Sequence, residues 1–236
     1  MIQFFKQFPE IIATISEKKD GSMRLSPKSE NWLSKNIENR KRYFEKVGLG
    51  KKKVIAAHLV HGNRIALVDH NSPDYILETD GLVTTDPAVA LAITVADCYP
   101  VYFYDEKKRM IGLAHVGWSG AVRNILADMI ELMKREGSDP AGIAVAIGPG
   151  ICQKDYPIPP ERAALFENYP EAILKKEGQL FLDIKKIIYR QLKENGIVMI
   201  SGSGECTSCL PEKYFSYWRD KPEIIEVMVA VIGLRS

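Results

Sequence analysis

Four histidines, at 58, 61, 70 and 115, and four cysteines, at 98, 152, 206 and 209, are the side chains here that combine metal ligation with nucleophilic chemistry. His58 and His61 form an H-x-x-H pair. On a helix that spacing would put both imidazoles on one face. Here it lies in a β pattern, where residues three apart point to opposite faces, so the two are not expected to act as a pair. His61 precedes a Gly-Asn dipeptide of hairpin type, His115 closes the run MIGLAHV, and Cys98 closes ALAITVA beside Asp97. Three residues able to ligate a soft divalent metal thus stand at strand-to-turn junctions, where loops on a rigid scaffold gather function. Two imidazoles and a thiolate suit Zn²⁺ with the fourth position open to water or substrate, and they also suit copper. Spacing alone favours reading His61 and His115 as half-buried strand ends, and Cys98 can be read as a small hydrophobe.

Cys206 and Cys209 form a single C-x-x-C, followed after one residue by Pro211. A zinc ribbon needs a second such pair, and a thioredoxin-type motif needs to open a helix within a βαβ unit. Neither context is visible, so structural or incidental use is expected rather than a metal or redox role. The turn HVGWSGA carries Gly117 and Gly120, which let backbone N–H groups approach a ligand. A helix starting there would present unpaired donors to an anion.

The elements that must position these groups are mixed. Ile11 to Leu25 read as two short strands around a Lys-Asp-Gly turn, and 28–47 as a helix with Leu33, Ile37, Phe44 and Val47 inward. Strands follow at 54–60, 64–70, 81–85, 90–96, 101–105 and 110–116. Val122, Ile125, Leu126, Met129, Ile130 and Met133 make an unbroken helical stripe ended by Gly137. A strand at 142–148 follows. A second amphipathic helix at 183–196 buries Ile184, Ile187, Ile188 and Leu192, and a strand at 225–234 closes the chain. Strands run in series before helices alternate, which favours α+β over a doubly wound fold, with 1–236 as one domain.

Composition is that of a globular protein: 46% apolar, 26% charged, net charge +2. That charge argues neither for nucleic acid nor for an acidic membrane surface, and neither is expected as a partner. The N-terminal segment is interrupted by Lys6, Pro9 and Glu10, and no run reaches the roughly 18 apolar residues of a membrane span, so a cytoplasmic location is expected.

VHG at 60–62, TDGLVT at 79–84, ADCYPV at 96–101, AHVGWSG at 114–120 and IGPGI at 147–151 together resemble the laccase-domain family. The resemblance continues through 181–197, ECTSC at 205–209 and YFSYWRD at 214–220. Members were first described as multicopper polyphenol oxidases and are now read as purine nucleoside phosphorylases with adenosine deaminase activity. The resemblance implies an α/β/β/α-layered fold and one catalytic zinc held by His61, Cys98 and His115. It implies a purine nucleoside and phosphate as substrates. Asp80 or Asp97 would shuttle a proton, and phosphate would be held by Gly117, Trp118, Ser119 and Gly120 with Arg219. The chain departs from the family at Leu59, usually Gln, at Ser119 and Trp218, usually Arg, and at Lys154 and Asp155, where paired cysteines are expected. No ligand is touched, but serine lacks the planar fork with which arginine grips phosphate. Arg123, one helical turn on, would be a partial substitute. Rival readings are a copper-dependent phenol oxidase, disfavoured by the few histidines, a hydrolase with Cys98 as nucleophile activated by His115, and a non-catalytic zinc-binding relative.

Overall fold

The apolar run that resumes after Cys98 is buried along its whole length because both of its faces are covered. Val101 and Phe103 pack with one set of core residues that includes two helices, whereas Tyr102 and Tyr104 pack with another that includes a second sheet. A strand buried on both faces reads as a continuous apolar stretch rather than an alternation.

The computed structural model describes residues 2–24 and 34–235. The elements begin with β1 (Ile11–Ile15), α1 (Ser34–Lys46), β2 (Lys53–Ala57), β3 (Ile65–Leu67), β4 (Tyr75–Ile76) and β5 (Gly81–Thr84). Next come β6 (Val89–Val95), β7 (Tyr99–Asp105), β8 (Met110–Val116), α2 (Trp118–Val122), α3 (Ile125–Arg135) and β9 (Ile143–Ile147). The chain continues through β10 (Pro157–Ile158), α4 (Pro160–Ala164), β11 (Ile173–Lys176), β12 (Gln179–Leu182) and α5 (Ile184–Glu194). It ends with β13 (Met199–Gly202), α6 (Tyr217–Asp220) and β14 (Met228–Leu234).

Two mixed sheets form the centre, one ordered β1-β14-β6-β2-β4 and the other β13-β9-β7-β8-β5-β3, with a small sheet β10-β12-β11 beside them. One core lies between the large sheets, where Leu91 and Ile93 of β6 meet Ile111 and Leu113 of β8. A second packs α3 and α5 against the six-stranded sheet, and a third packs Tyr43 of α1 against Ala90, Ala92 and Val229 of the five-stranded sheet. The result is an α+β fold with α/β/β/α layers. Tyr102 Oη donates to the Thr14 carbonyl at 2.9 Å and Tyr104 Oη to Glu10 Oε1 at 2.7 Å, so the two tyrosines tie the sheets together by hydrogen bonds as well as by area. No helix among the described residues is long and apolar enough to cross a membrane.

β2 runs parallel to β4 and β6, so all three leave the five-stranded sheet at the same end. Each then feeds the six-stranded sheet: β2 leads to β3, β4 to β5 and β6 to β7. β8 runs antiparallel to β5 and β7, so it finishes at that same end. The three connections at 58–64, 77–80 and 96–98 and the end of β8 therefore gather at one seam.

Three expectations change. The structure has a 3₁₀ turn at Lys18–Asp20 and no strand at 21–24; Leu25 lies outside the described residues. Residues 28–33 of the first helix, with Leu33, also lie outside them. Over 34–46 the buried face is Asn36, Asn39, Arg40 and Tyr43, and Ile37 is 44% exposed. The helix turns polar side chains inward because Asn36, Asn39 and Arg40 donate to the carbonyls of Arg24, Ser22 and Met23, a segment with no strand partner for them. The long stripe is two helices: Asn124, at φ 55° and ψ 48°, breaks it in the left-handed conformation that Asn tolerates, which leaves Val122 38% exposed. The small sheet and β13 lie in stretches with no clear alternation.

Candidate metal centre

His61, Cys98 and His115 come from three different strand ends, and the seam brings them together. Their ligand atoms lie within 4.8 Å of one another, with His61 exposed, Cys98 half-buried and His115 buried. The two imidazoles stand edge to face, centroids 4.9 Å apart at 86°. Backbone strain sets the approach: His61 has φ 57° and Asp97 φ 86°, conformations that cost non-glycine residues energy and survive where the surroundings impose them. Gly117 follows β8, and a Cβ there would lie 2.7 Å from Cys98 Sγ, so only glycine leaves room for the thiol.

Asp80 organises the trio. It is fully buried, and its carboxylate accepts the backbone N–H groups of Val60 at 3.2 Å, His61 at 2.9 Å and Gly62 at 2.8 Å. His115 Nδ1 lies 3.2 Å from Asp80 Oδ1. Burial would push the Asp80 carboxyl up, but the bonds from His115, Gly62 and Val60 outweigh it and hold it below its usual range. An ionised carboxylate only accepts, so His115 Nδ1 carries a proton toward Asp80, and Nε2 is the nitrogen left for a metal, which would take the place of any proton there, the arrangement that orients metal-bound histidines.

Burial likewise pushes the Cys98 thiol up, and the His115 charge with hydrogen bonds from both histidines overrides it, bringing the thiol down to about 6. Burial pushes His115 down, and the facing Cys98 and Asp80 override it, raising it to about 9. The geometry thus favours thiolate, the ligating and nucleophilic form of cysteine. Donor types, spacing, the carboxylate behind His115 and the Gly117 gap all fit a tetrahedral metal with one open position.

The trio opens into a cavity of about 700 Å³. Trp118, Tyr156, Trp218 and Tyr217 supply aromatic wall, and Asp97, His58, Arg24 and Arg162 supply polar groups. Tyr156 and Trp218 stack edge to face at 5.3 Å, and the Arg162 guanidinium sits 4.6 Å from the Trp118 ring. His58 Nδ1 is buried with no hydrogen-bond partner among the described residues.

The other expected site residues divide. Asp97 lines the cavity, its carboxylate accepting from Thr207 Oγ1 at 2.6 Å and from the backbone N–H of Trp218 at 2.7 Å. Trp118 lines it too, whereas Gly120 is buried in the first turn of α2 and Arg123 is exposed. Ser119, Arg123 and Arg219 are not among the cavity-lining residues. Arg219 binds the carbonyls of Thr207 and Ser208 through Nη1 and that of Tyr214 through Nη2, and also pairs with Asp220. Arg24, Arg162, Tyr156 and His58 were missed as site residues. Only the run YPIPPER, whose prolines stop a strand and open α4 beside the cavity, hints at Arg162.

Solved structures share this fold. YlmD from Geobacillus stearothermophilus matches with a TM-score of 0.88 at 28% identity, over 98% of this chain and 94% of that one. The Bacillus licheniformis protein YfiH matches with 0.85 at 31% identity, over 95% and 92%. Among curated relatives, a protein of Deinococcus radiodurans named purine nucleoside phosphorylase is 36% identical over 199 residues, covering 84% of this chain and 76% of its own. A purine nucleoside phosphorylase of Mycobacterium tuberculosis is 32% identical over 189 residues, covering 78% and 74%. The profile of one family spans residues 12–235, and the chain belongs to that family, described as multi-copper polyphenol oxidoreductase laccase.

Proposed function

We propose that the chain is a zinc-dependent purine nucleoside enzyme, a phosphorylase that also deaminates adenosine hydrolytically. The observation that carries this reading is the placement of the His61, Cys98 and His115 donors in a cavity walled by Trp118, Tyr156 and Trp218, rings suited to a flat purine. The names of the relatives support it. Zinc there would supply Lewis acidity and make water nucleophilic at neutral pH.

The protein's own groups take distinct parts. Asp80 fixes the His115 tautomer and the 60–62 turn, so it is a positioning residue. Asp97 is the carboxylate on the cavity wall, and it would pass a proton to the purine. Arg162, with Arg24, supplies the guanidinium charge for phosphate, and Ser119 does not decide phosphate binding. Arg219 holds the 207–214 backbone against the site. His58 Nδ1 gives the substrate a polar handle. In phosphorolysis a phosphate oxygen bonds to the ribose anomeric carbon as the bond to the purine nitrogen breaks, and the base leaves with a proton. In deamination water adds at C6 and ammonia leaves.

One arrangement favours a second reading: Cys98 between His61 and His115, with its thiol brought down to about 6, is also suited to act as a nucleophile. Copper oxidase chemistry of the trinuclear kind needs more imidazoles than this: among the described residues only His61 and His115 join Cys98 within ligand distance, His58 stands further along the cavity wall, and His70 pairs with Asp86 at the surface. The deciding experiment measures inosine and adenosine turnover with and without phosphate, before and after chelation. Zinc-restored turnover of both supports the proposal. Activity that survives complete metal removal favours the cysteine nucleophile.

A further inference from the structure

Cys206 and Cys209 have the partners that their C-x-x-C lacks in sequence. The segment after β9 and the loop before α6 are joined by a parallel bridge between Gly150 and Cys206, and the Thr207 N–H donates to the Gly150 carbonyl at 3.2 Å. The bridge brings Cys152-Gln-Lys-Asp155 against Cys206-Thr-Ser-Cys209, two knuckles of the same spacing with a carboxylate in place of the fourth thiolate. One donor atom from each of Cys152, Asp155, Cys206 and Cys209 lies within 4.8 Å of all the others.

We propose that these four residues form a second, structural Zn²⁺ site, closed by protein ligands and sharing no donor with the first. A tetrahedron with Zn–S near 2.3 Å and Zn–O near 2.0 Å sets S···S at about 3.8 Å and S···O at about 3.5 Å. The Cys152 and Cys209 sulfurs are 3.6 Å apart, and Asp155 Oδ2 is 3.4 Å from Cys152 Sγ and 3.7 Å from Cys206 Sγ. Cys209 Sγ, at 2.9 Å from Asp155 Oδ2, is the one donor that must open, and its side chain is exposed and free to turn. The Cys152 N–H points at Cys206 Sγ at 3.2 Å, the kind of outer contact that steadies a ligating thiolate. Four protein donors leave no open position, which makes the site structural. It fastens the loop whose Thr207 hydroxyl holds Asp97.

The test is metal analysis of the full-length chain expressed with zinc and purified under reductant. The wild type should carry about two zinc ions per chain, Cys98→Ser about one, and Cys98→Ser combined with Cys152→Ser and Cys209→Ser none. Cobalt(II) loaded into Cys98→Ser should show thiolate-to-metal charge-transfer absorption. A readout on the wild type covers the case in which a variant fails to fold: zinc should protect Cys152, Cys206 and Cys209 from alkylation mapped by mass spectrometry, and a chelator should release them. The proposal is overturned if zinc-loaded wild type alkylates these three as fast as chelated protein. It is equally overturned if folded Cys98→Ser holds neither zinc nor cobalt, or if Cys152 and Cys209 are recovered as a disulfide from the reduced preparation. None of these results depends on nucleoside turnover, so the outcome is separate from that of the proposed activity.

Discussion

The Thr207 hydroxyl donates to the Asp97 carboxylate at 2.6 Å, binding the turn that carries Cys98 to a residue 110 positions away. Thr207 is fully buried and Asp97 nearly so. A hydrogen bond to a charged group in such a place is worth about 1.5–3 kcal/mol. Thr207→Val, close in shape, should therefore lower the melting temperature by roughly 3–12 °C in a chain of this size. It should also weaken metal binding at His61, Cys98 and His115, because the Asp97–Cys98 turn loses its brace. Calorimetry and zinc titration on the same preparation read both, and unchanged zinc affinity would show that Thr207 braces the fold alone.

Asp80 stands behind the metal ligands and touches no cavity space. Asp80→Asn keeps the shape but offers an NH₂ group where His115 and three backbone N–H groups need an acceptor. Metal affinity should fall about 10- to 100-fold, the usual cost of losing such an outer partner. Cys98→Ala should abolish binding at this centre. Gly117→Ala should do nearly as much, since its Cβ would meet Cys98 Sγ at 2.7 Å. Competition with a chromophoric chelator checks all three.

Arg162 should matter to phosphate and Ser119 should not. Removing a guanidinium that grips phosphate costs about 1.5–3 kcal/mol, or roughly 10- to 150-fold in phosphate-dependent rate. Arg162→Ala should lose that much in inosine phosphorolysis at limiting phosphate, while adenosine deamination and Ser119→Ala stay close to wild type. Initial rates across a phosphate series decide the matter, and an equal loss in both reactions would reassign Arg162 to holding Trp118.

Glu17 gives the acid behaviour a sign. Burial would push its carboxyl up, and the Lys19 ammonium 2.5 Å away helps override that, bringing it down from 4.5 to about 2. A depressed carboxyl stabilises the fold above its unfolded value, and the contribution is lost as pH falls from about 4.5 to about 2. Lys19 lies in solvent, so the effect is modest. Glu17→Gln should flatten the stability-against-pH curve in that window and leave its slope above pH 5 unchanged, as urea unfolding at a series of pH values will show.

Spacing marked His61, Cys98 and His115 only as ends of apolar runs, where the chain changes direction, and it took the family resemblance to join them as one ligand set. What spacing could not show is that these changes of direction are crossings between sheets, since β2, β4 and β6 look alike in sequence whichever sheet receives the chain next. Which arginine lines the cavity was not legible for a related reason. Arg219 lies in a motif, yet backbone carbonyls take its guanidinium, whereas Arg162 carries no periodic signal and reaches the cavity only because α4 folds back toward Trp118. The inward face of α1 was legible only in part: Phe44 and Val47 pack against the core as expected, but Ile37 does not, because carbonyls without strand partners draw Asn36, Asn39 and Arg40 inward against the hydrophobic pattern. Cys152 and Asp155 give the C-x-x-C pair no second thiol pair to match it in sequence, so only the fold brings the four together.

The seam also bears on how the chain folds. Residues 61, 98 and 115 bracket two loops, each containing strands of a large sheet, and a metal held by all three is a reversible cross-link closing both at once. Cross-links act mainly on the unfolded chain, reducing the freedom that sheet pairing must otherwise remove. Loaded protein should then unfold more slowly than metal-free protein by an amount that grows with free zinc. If ligation comes after the sheets have met, the difference will lie in the unfolding limb, and refolding rates will be indifferent to the ion.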